Sequence, residues 1–398
     1  MSFEQTLKNR IIRFLEGRNE IAAIKSAAAE ARVSVYITGG ALRDLALEDS
    51  VSADLDLLIE GTPVERETFK IALSEEVRRL QIPQGALRVD ALETEDAERF
   101  VTRFDFTVNS LLYDLQEESL ADPCGQALKD LETRTLRTPS VPTFVIHILP
   151  FVKTFRLASK LNLSLHPSTK DLIRDFGPMI HSLGPEGEVL ALGELLSFLT
   201  LPTIASQLRE MSKIGFLHVL LPELCALVQD QDVFPEALSS LDFLESTVPR
   251  SSEPVRESVL RIHALSVPLT KSLFTHKEKF TAYYSRLALV RLCILLYWNS
   301  LAFSKLPRPE GPEEKEELIA AFDTNPVKGI MARLSQSNEL RKVYSTLGTM
   351  LPHIRKIVSQ IEMDGSPLSE AQFSQYDTAE VIAAVGLTKS SAFKIERF

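Results

Sequence analysis

The fold is most constrained by residues 35–58, which read VYITGGALRDLALEDSVSADLDLL. Residues 35–37 are β-branched or aromatic, which predicts a short strand that the pair Gly39-Gly40 brings to an end. Residues 41–47 contain good helix formers, so we expect a helix directly after the glycines. A helix that begins at such a turn presents free backbone N–H groups, which favour an anion.

Two carboxylates follow this turn. Asp54 and Asp56 lie on a second predicted strand, and at a period of two their side chains point to the same side. Carboxylates beside a phosphate-binding turn suit Mg²⁺ that is shared with a nucleoside triphosphate. Either feature alone is common in ordinary turns, so the prediction depends on their order and spacing.

Composition narrows the class of protein. The chain has 398 residues, of which 44% are hydrophobic and 25% charged, as is usual for soluble proteins of several domains. We find no apolar run of about 20 residues and no signal sequence, and the 3 cysteines are too scattered for a disulfide framework. These features predict a cytoplasmic protein without a membrane partner. The net charge of −10 disfavours RNA binding, although a local basic groove is compatible with it.

The surrounding pattern predicts further elements. Apolar spacing indicates one or two helices over residues 3–31 and another over 63–80. Residues 86–92 are predicted to form a third strand with Asp90 in its middle. Prolines at 139 and 142 mark a linker, and the chain from 166 to 224 has a helical, apolar pattern.

Several motifs resemble one known family. The order Gly-Gly-x-x-Arg-Asp, then Asp-x-Asp, is similar to the head-domain signature of the class II tRNA nucleotidyltransferase and bacterial poly(A) polymerase family. Residues 103–111, RFDFTVNSL, resemble the family's Arg-Arg-Asp-Phe-Thr-Ile-Asn-Ala-Leu motif, with Phe104 in place of the second arginine. Residues 122–125, together with Asp130 and Arg137, match the family's Asp-Pro-x-Gly turn and the hairpin after it.

The resemblance implies a set of nucleotide contacts. They are Gly39, Gly40, Arg43, Asp44, Arg103, Asp105, Asn109, Lys153 and Arg156. Gly39, Gly40 and Arg43 would hold the triphosphate. Arg103 would pair with phosphate oxygens, because its planar fork suits them. Asp105 would accept a ribose hydroxyl, and Asn109 can donate and accept, so it would tie the site together.

The resemblance also implies the catalytic carboxylates. Asp54 and Asp56 would hold two Mg²⁺ ions, one that activates the attacking 3′ oxygen and one that steadies the leaving pyrophosphate. Asp90 is the candidate for a third carboxylate from a neighbouring strand, with a solvated strand residue as the alternative.

The base-reading motif departs from the family. Residues 155–163, FRLASKLNL, match the end of a family helix, and counting back puts Ile146, His147 and Pro150 where the family has Glu-Asp-x-x-Arg. Another alignment puts Leu149 at the aspartate. In both alignments the aspartate that reads the base is absent, so selection must come from other groups or be loose.

Beyond residue 225 the resemblance is loose. Residues 232–238 and 286–298 resemble the His-Asp hydrolase body of some members, but Glu236 replaces a metal histidine and Tyr297-Trp298 replaces the His-Asp pair. We therefore expect helical packing there and no phosphohydrolase metal site.

The implied fold is α+β, with a nucleotidyltransferase-type head that contains a mixed sheet, followed by helical domains. The expected domains are a head over 1–140, a neck over 141–225, and an RNA-binding body and tail over 226–398. The implied reaction adds AMP or CMP, from ATP or CTP, to an RNA 3′ hydroxyl without a nucleic-acid template, in tRNA CCA processing or polyadenylation. Two alternatives remain: a non-catalytic RNA-binding relative, and a nucleotidyltransferase with a protein or small-molecule acceptor.

Overall fold

The computed structural model describes residues 2–48, 54–82, 88–139, 149–201, 203–247, 286–304, 350–359 and 387. The chain divides into two compact units, residues 1–147 with 161–172 and residues 148–160 with 173–398. The first contains a mixed sheet and the second is helical where it is described, which confirms the predicted α+β class. None of the described helices is long and apolar enough to cross a membrane.

The first unit is built on a five-stranded sheet. Its strands are β1 (Ser34–Thr38), β2 (Asp54–Glu60), β3 (Arg88–Thr94), β4 (Leu112–Asp114) and β5 (Leu120–Ala121). The spatial order is β3-β2-β1-β4-β5, with β2 and β3 parallel and the other neighbours antiparallel. The predicted first strand, the Asp-x-Asp strand and the third strand are confirmed.

The helices of this unit flank the sheet. They are α1 (Phe3–Leu15), α2 (Asn19–Ala31), α3 (Gly40–Glu48), α4 (Pro63–Arg79), α5 (Ala97–Val101) and α6 (Ala127–Glu132). The α4 helix begins at a capping box, in which Thr62 and Glu65 exchange hydrogen bonds and Pro63 fixes the first turn. Alanines on α2, among them Ala23 and Ala27, are fully buried and allow α2 and α4 to approach closely. The predicted helices over 3–31 and 63–80 are confirmed.

A small aromatic cluster covers one side of β2. Phe104 meets Phe100 edge to face, with ring centroids 5.8 Å apart, and both pack against buried Leu58 and Val101. Tyr36 joins this cluster, and its hydroxyl donates to Glu60 Oε2 at 2.9 Å. Burial, reinforced by that hydrogen bond, raises the pKa of Tyr36 to about 12. Phe104, which replaces an arginine of the family motif, is therefore a packing residue.

The predicted hairpin after the Asp-Pro-x-Gly turn is wrong. A helix, α6, follows instead, because residues 127–132 read ALKDLE and favour helix. Asp122 stabilises its first turn, since Asp122 Oδ2 accepts a hydrogen bond from the Leu128 backbone N–H at 3.1 Å. The next strand, β6 (Thr135–Leu136), then pairs in parallel with β7 (Ser164–Leu165), not with a neighbouring hairpin arm.

Helices make up nearly all of the described chain from residue 149 to 304. They are α7 (Leu149–Leu161), α8 (Pro167–Phe176), α9 (Gly184–Phe198), α10 (Ala205–Lys213), α11 (Phe216–Leu220), α12 (Cys225–Gln229), α13 (Val233–Thr247) and α14 (Arg286–Ser304), with 3₁₀ turns at Gly177–Leu183 and Pro222–Leu224. Residues 350–359 are also helical. In the core of the second unit, Phe155 stacks on Phe216 with centroids 5.7 Å apart.

Buried polar contacts connect α13 and α14 to residues 199–205, at and before the start of α10. Glu245 of α13 accepts hydrogen bonds from the backbone N–H groups of Ile204 and Ala205, at 2.6 and 2.9 Å, and so satisfies the beginning of α10. Arg291 of α14 is fully buried and donates to the carbonyl of Leu199 at 2.8 Å. Burial lowers the pKa of Arg291 to about 10 and raises that of Glu245.

The residues that replace the His-Asp metal ligands lie on these helices. Glu236 is on α13, while Tyr297 and Trp298 are on α14. The Trp298 indole donates to Ser240 Oγ at 3.0 Å, so it joins the two helices. The predicted helical packing is confirmed, and the described residues contain no group of three or more side chains that could hold a metal ion.

Candidate active site

The glycine turn lies between β1 and α3 and is filled by a carboxylate. Gly39 adopts φ +69°, and a Cβ there would come within 2.4 Å of Asp56 Oδ2. The Gly40 backbone N–H donates to the same oxygen at 3.3 Å. The antiparallel register places Thr38 opposite Asp56 and so sets the carboxylate at the turn. Only glycine fits at position 39, because any side chain would displace Asp56 and strain the backbone.

The predicted acidic residues lie on adjoining strands. Asp54 and Asp56 are on β2, and the parallel register of β2 and β3 pairs Asp56 with Asp90 and Asp54 with Arg88. Asp90 is thus a direct strand neighbour of Asp56, as a third carboxylate requires. The side chains of Asp54 and Asp90 lie outside the described part of the structure, so their roles as metal ligand and third carboxylate stay predictions.

A series of side-chain hydrogen bonds connects α3 to the segment after α5. Arg43, which is only 8% exposed, donates from Nε to Asp44 Oδ1 at 2.8 Å and from one Nη to Asn109 Oδ1 at 2.9 Å. Its other Nη lies 2.7 Å from Asp44 Oδ1. Asn109 Nδ2 in turn donates to Asp105 Oδ1 at 2.8 Å. We call these four residues, Asp44, Arg43, Asn109 and Asp105, the Arg43 network.

Asn109 also contacts the glycine turn directly. Its carbonyl accepts a hydrogen bond from the Gly39 N–H at 3.1 Å. Asn109 is 7% exposed and ends a 3₁₀ turn, Thr107–Asn109, so both its backbone and its side chain are fixed. Fully buried Thr38 adds a second connection, because its hydroxyl donates to the Leu111 carbonyl at 2.8 Å. The glycine turn and the Asp105 segment are therefore held as one piece.

An ion pair between Arg137 and buried Asp130 holds the same 3₁₀ turn in place. Arg137 donates from Nε and Nη to the two oxygens of Asp130, which is 1% exposed. Asp130 Oδ2 also accepts from Thr107 Oγ1 at 2.7 Å, and the Thr107 N–H donates to the Arg137 carbonyl at 2.8 Å. The family motif includes Asp130 and Arg137 but does not indicate what they do. Their opposite charges, close to the Asp-Pro-x-Gly turn, are the sequence signal for this ion pair.

Arg103 stands apart from these buried groups. Its side chain is exposed, directly after α5 and two positions before half-buried Asp105. An exposed guanidinium two positions from Asp105 in the chain is available to an anionic ligand. This placement suits the predicted phosphate contact, which stays a prediction.

The acidic residues fit the predicted Mg²⁺. Mg²⁺ is usually held by one or two carboxylates together with substrate phosphates, not by a closed protein cage. Asp56 supplies a carboxylate at the anion-favouring start of α3, and Asp54 is on the same strand. The chemistry of these donors thus suits a metal that is shared with a triphosphate.

The second unit contains the two remaining candidates for nucleotide contacts, Lys153 and Arg156. Arg156 Nε on α7 donates to Glu194 Oε2 at 2.9 Å, and Glu194 is 7% exposed, so this guanidinium already has a buried counterion. Lys153 is half-buried on the same helix. Pro150 is buried in the first turn of α7, whereas Ile146 and His147 lie outside the described residues. Base reading by this region stays a prediction.

A glycine turn that holds a strand carboxylate, in a mixed sheet of this order, is the arrangement expected of a nucleotidyltransferase-type head. Comparison with known proteins agrees, since residues 77–137 match the family described as Poly A polymerase head domain. The chain is 28% identical over 228 residues to the Multifunctional CCA protein of Xylella fastidiosa (strain 9a5c), covering 50% of this chain and 54% of that protein.

A second relative and a solved structure agree with this. The chain is 33% identical over 111 residues to the CC-adding tRNA nucleotidyltransferase of Geobacter sulfurreducens, covering 28% of this chain and 25% of the relative. The structure described as "The complex structure of CCA-adding enzyme with CTP" superposes with a TM-score of 0.57 at 16% identity, covering 97% of this chain and 80% of that one. That similarity concerns the fold.

The chain is therefore similar to the class II tRNA nucleotidyltransferase and bacterial poly(A) polymerase family, in the matched head region and in its fold. It spans about half the length of the first curated relative that it matches, 54% in the case of the Xylella fastidiosa protein.

Proposed function

We propose that this protein transfers a nucleoside monophosphate from a nucleoside triphosphate to the 3′ hydroxyl of an RNA, in tRNA 3′-end processing or polyadenylation. The observation that carries the proposal is the Asp56 carboxylate, which the Gly40 N–H holds at the Gly39–Gly40 turn. This arrangement brings an anionic metal-ligand group to an anion-favouring helix start. Such a carboxylate also stabilises the start of the helix, and a metal-bridged triphosphate needs both the carboxylate and the anion-favouring helix start.

The proposed roles follow from the chemistry of each group. The N–H groups at the start of α3 orient the phosphate oxygens, and exposed Arg103 neutralises part of their charge. Asp105 accepts a hydrogen bond from a ribose hydroxyl. Asp54 and Asp56 would hold Mg²⁺, which, when bound, makes the 3′ hydroxyl more acidic and offsets charge on the pyrophosphate. Asp90, beside Asp56 in the sheet, is the proposed third carboxylate.

The names of the relatives support a choice of acceptor and product to test. Two matched relatives are named Multifunctional CCA protein and CC-adding tRNA nucleotidyltransferase. We therefore propose a tRNA 3′ end as the first acceptor to test, with ATP and CTP as donors, and polyadenylation of RNA as the second. Lys153 and Arg156 of α7 remain candidates for contacts to the incoming nucleotide.

The test is nucleotide addition by the full chain. Purified protein is incubated with Mg²⁺, tRNA that lacks its 3′ end, and each labelled triphosphate in turn, with Asp54→Ala and Asp56→Ala as variants. We expect incorporation by the wild type and its loss in both variants, with the fold intact. Asp232→Ala is the matched control, because Asp232 is an exposed carboxylate of the second unit.

The outcomes separate the proposal from its alternatives. Binding of tRNA without incorporation would indicate a non-catalytic RNA-binding relative. Incorporation into a protein or small molecule, but not into RNA, would indicate another acceptor. Wild-type activity in Asp56→Ala would contradict the assignment of the site.

A further inference from the structure

Arg43 has a different environment from the one that a phosphate-binding arginine needs. Its side chain is 10% exposed, and Nε and both Nη atoms are directed to Asp44 Oδ1 or Asn109 Oδ1 within 2.9 Å. Three of its five N–H donors are thus directed to protein acceptors, which leaves fewer for a triphosphate. The position of Arg43 on α3 is nevertheless set by the glycine turn, because it lies one helical turn after Gly40.

Asn109 connects Arg43 to two places at once. Its carbonyl accepts from the Gly39 N–H at 3.1 Å, and its side-chain amide accepts from Arg43 and donates to Asp105. These contacts also settle the amide orientation, since Oδ1 faces a donor and Nδ2 faces a carboxylate. Rotation of Asp105 away from Nδ2 would therefore break a charge-assisted hydrogen bond.

We infer that Arg43 and Asn109 are positioning residues for sugar recognition: through the Arg43 network they fix the Asp105 carboxylate relative to the Gly39–Gly40 turn. The inference rests on the proposed function, in which the turn orients the triphosphate and Asp105 accepts a ribose hydroxyl. A triphosphate and its ribose are one rigidly spaced ligand, so a protein that reads both needs the two contact sites at a fixed separation. Side-chain hydrogen bonds of 2.9 Å or shorter connect Asp105 through Asn109 to Arg43 of α3, and the Asn109 carbonyl accepts from the Gly39 N–H at 3.1 Å, so the two sites are joined.

A positioning role for Arg43 and a phosphate contact by Arg43 predict different kinetic effects when Arg43 is replaced. If Arg43 binds phosphate, its replacement weakens ATP and 2′-deoxy-ATP equally, because the two share the same triphosphate. If Arg43 positions Asp105 and Asp105 accepts the 2′ hydroxyl of the ribose, replacement of Arg43 weakens mainly the donor that has this hydroxyl. The ratio of kcat/KM for ATP over 2′-deoxy-ATP therefore distinguishes the two roles.

The experiment measures that ratio on one RNA primer. The variants are Arg43→Lys, which keeps the charge but not the planar fork, Asn109→Ala, and the double variant. Each single variant should lower the ratio by about three- to tenfold, the range for one lost hydrogen bond. The double variant should lower it no further than the stronger single one, because both changes break the same chain.

Arg66→Lys is the matched control. Arg66 is 13% exposed, pairs with Glu93 and donates to the Thr94 carbonyl at 3.1 Å, so it is as enclosed as Arg43 but lies by the ends of β2 and β3 that are remote from Asp56. We expect Arg66→Lys to leave the ATP to 2′-deoxy-ATP ratio unchanged. An unchanged ratio in Arg43→Lys, with a higher KM for both donors, would overturn the inference and assign Arg43 to phosphate.

Amide hydrogen exchange keeps this test separate from the proposed function. The Gly39 amide should exchange at least about threefold faster in Arg43→Lys and in Asn109→Ala than in the wild type, since its acceptor is then less firmly held. Wild-type protein that adds no nucleotide would contradict the proposed function, but the exchange comparison would still apply. An unchanged Gly39 rate in both variants would overturn the Arg43 network as a positioning device.

Discussion

The substitution Gly39→Ala separates backbone strain from damage to the carboxylate. Three glycines of the first unit, Gly17, Gly39 and Gly125, have similar positive φ values of +74°, +69° and +64°. A non-glycine residue in this region costs about 1–2 kcal/mol wherever it occurs. A Cβ at Gly17 or Gly125 would meet nothing within 4 Å, whereas one at Gly39 would come within 2.4 Å of Asp56 Oδ2.

The clash sets the expected magnitude. Carbon and oxygen at 2.4 Å are more than about 1 Å inside their preferred separation, so the Asp56 carboxylate must turn away and lose the Gly40 N–H. That loss adds about 1–2 kcal/mol to the backbone strain. We therefore expect Gly39→Ala to lower the free energy of unfolding by about 2–4 kcal/mol, against about 1–2 kcal/mol for Gly17→Ala and Gly125→Ala.

Activity should change far more than stability. A displacement of about 1 Å in a reacting group reduces kcat by about 100-fold, so Gly39→Ala should lose about that much nucleotide addition while it is still folded. Urea unfolding and single-nucleotide incorporation, measured at one temperature on all three variants, give the comparison. If Gly39→Ala is no less active than Gly17→Ala, the reasoning that Asp56 must occupy this turn is refuted.

Three further predictions concern the metal, the base and pH. A divalent-metal chelator should stop nucleotide addition without lowering Tm, because Mg²⁺ is shared with substrate and is not a structural cage; a large fall in Tm would contradict this. Discrimination between ATP and CTP should be about 1–3 kcal/mol weaker than in a relative with the full Glu-Asp-x-x-Arg motif, measured as kcat/KM for all four triphosphates, and accurate C-C-A addition that stops after A would refute it. Since the folded state keeps the Tyr36 proton up to a pKa of about 12, against about 10 when unfolded, stability should fall as pH rises from 10 to 12. Tyr36→Phe should lack that part of the urea-unfolding pH profile, and an unchanged profile would exclude Tyr36 as its source.

The local elements of the head could be predicted because their signals are local. The β-branched run at 35–37, the glycine pair and the helix formers after it each act within a few residues. The Asp-x-Asp strand was recognisable for the same reason. The hairpin expected after residue 125 is wrong. The resemblance to the family motif predicted it, whereas residues 127–132 have a high helix propensity and form α6.

The partners of the site residues could not be predicted because they are distant in sequence. Arg43 meets Asn109 across 66 positions, and Arg156 meets Glu194 across 38. Spacing within a motif says which residues share a strand or a helix face, but not which buried acceptor a guanidinium reaches. Both arginines were therefore predicted as ligand contacts, and the structure shows them engaged by protein groups.

Because β1 and β2 pair in one register, an error in that register would damage both the fold and the candidate site. Leu55 and Leu57, on either side of Asp56, are fully buried, and the register puts Asp56 opposite Thr38. A slip of one residue would send both leucines to the opposite face of the sheet, put one of them against Gly39, and bury the carboxylate among apolar side chains. Misfolded chains of this kind would be both unstable and inactive, so cellular quality control that removes unstable protein would remove the inactive fraction with it.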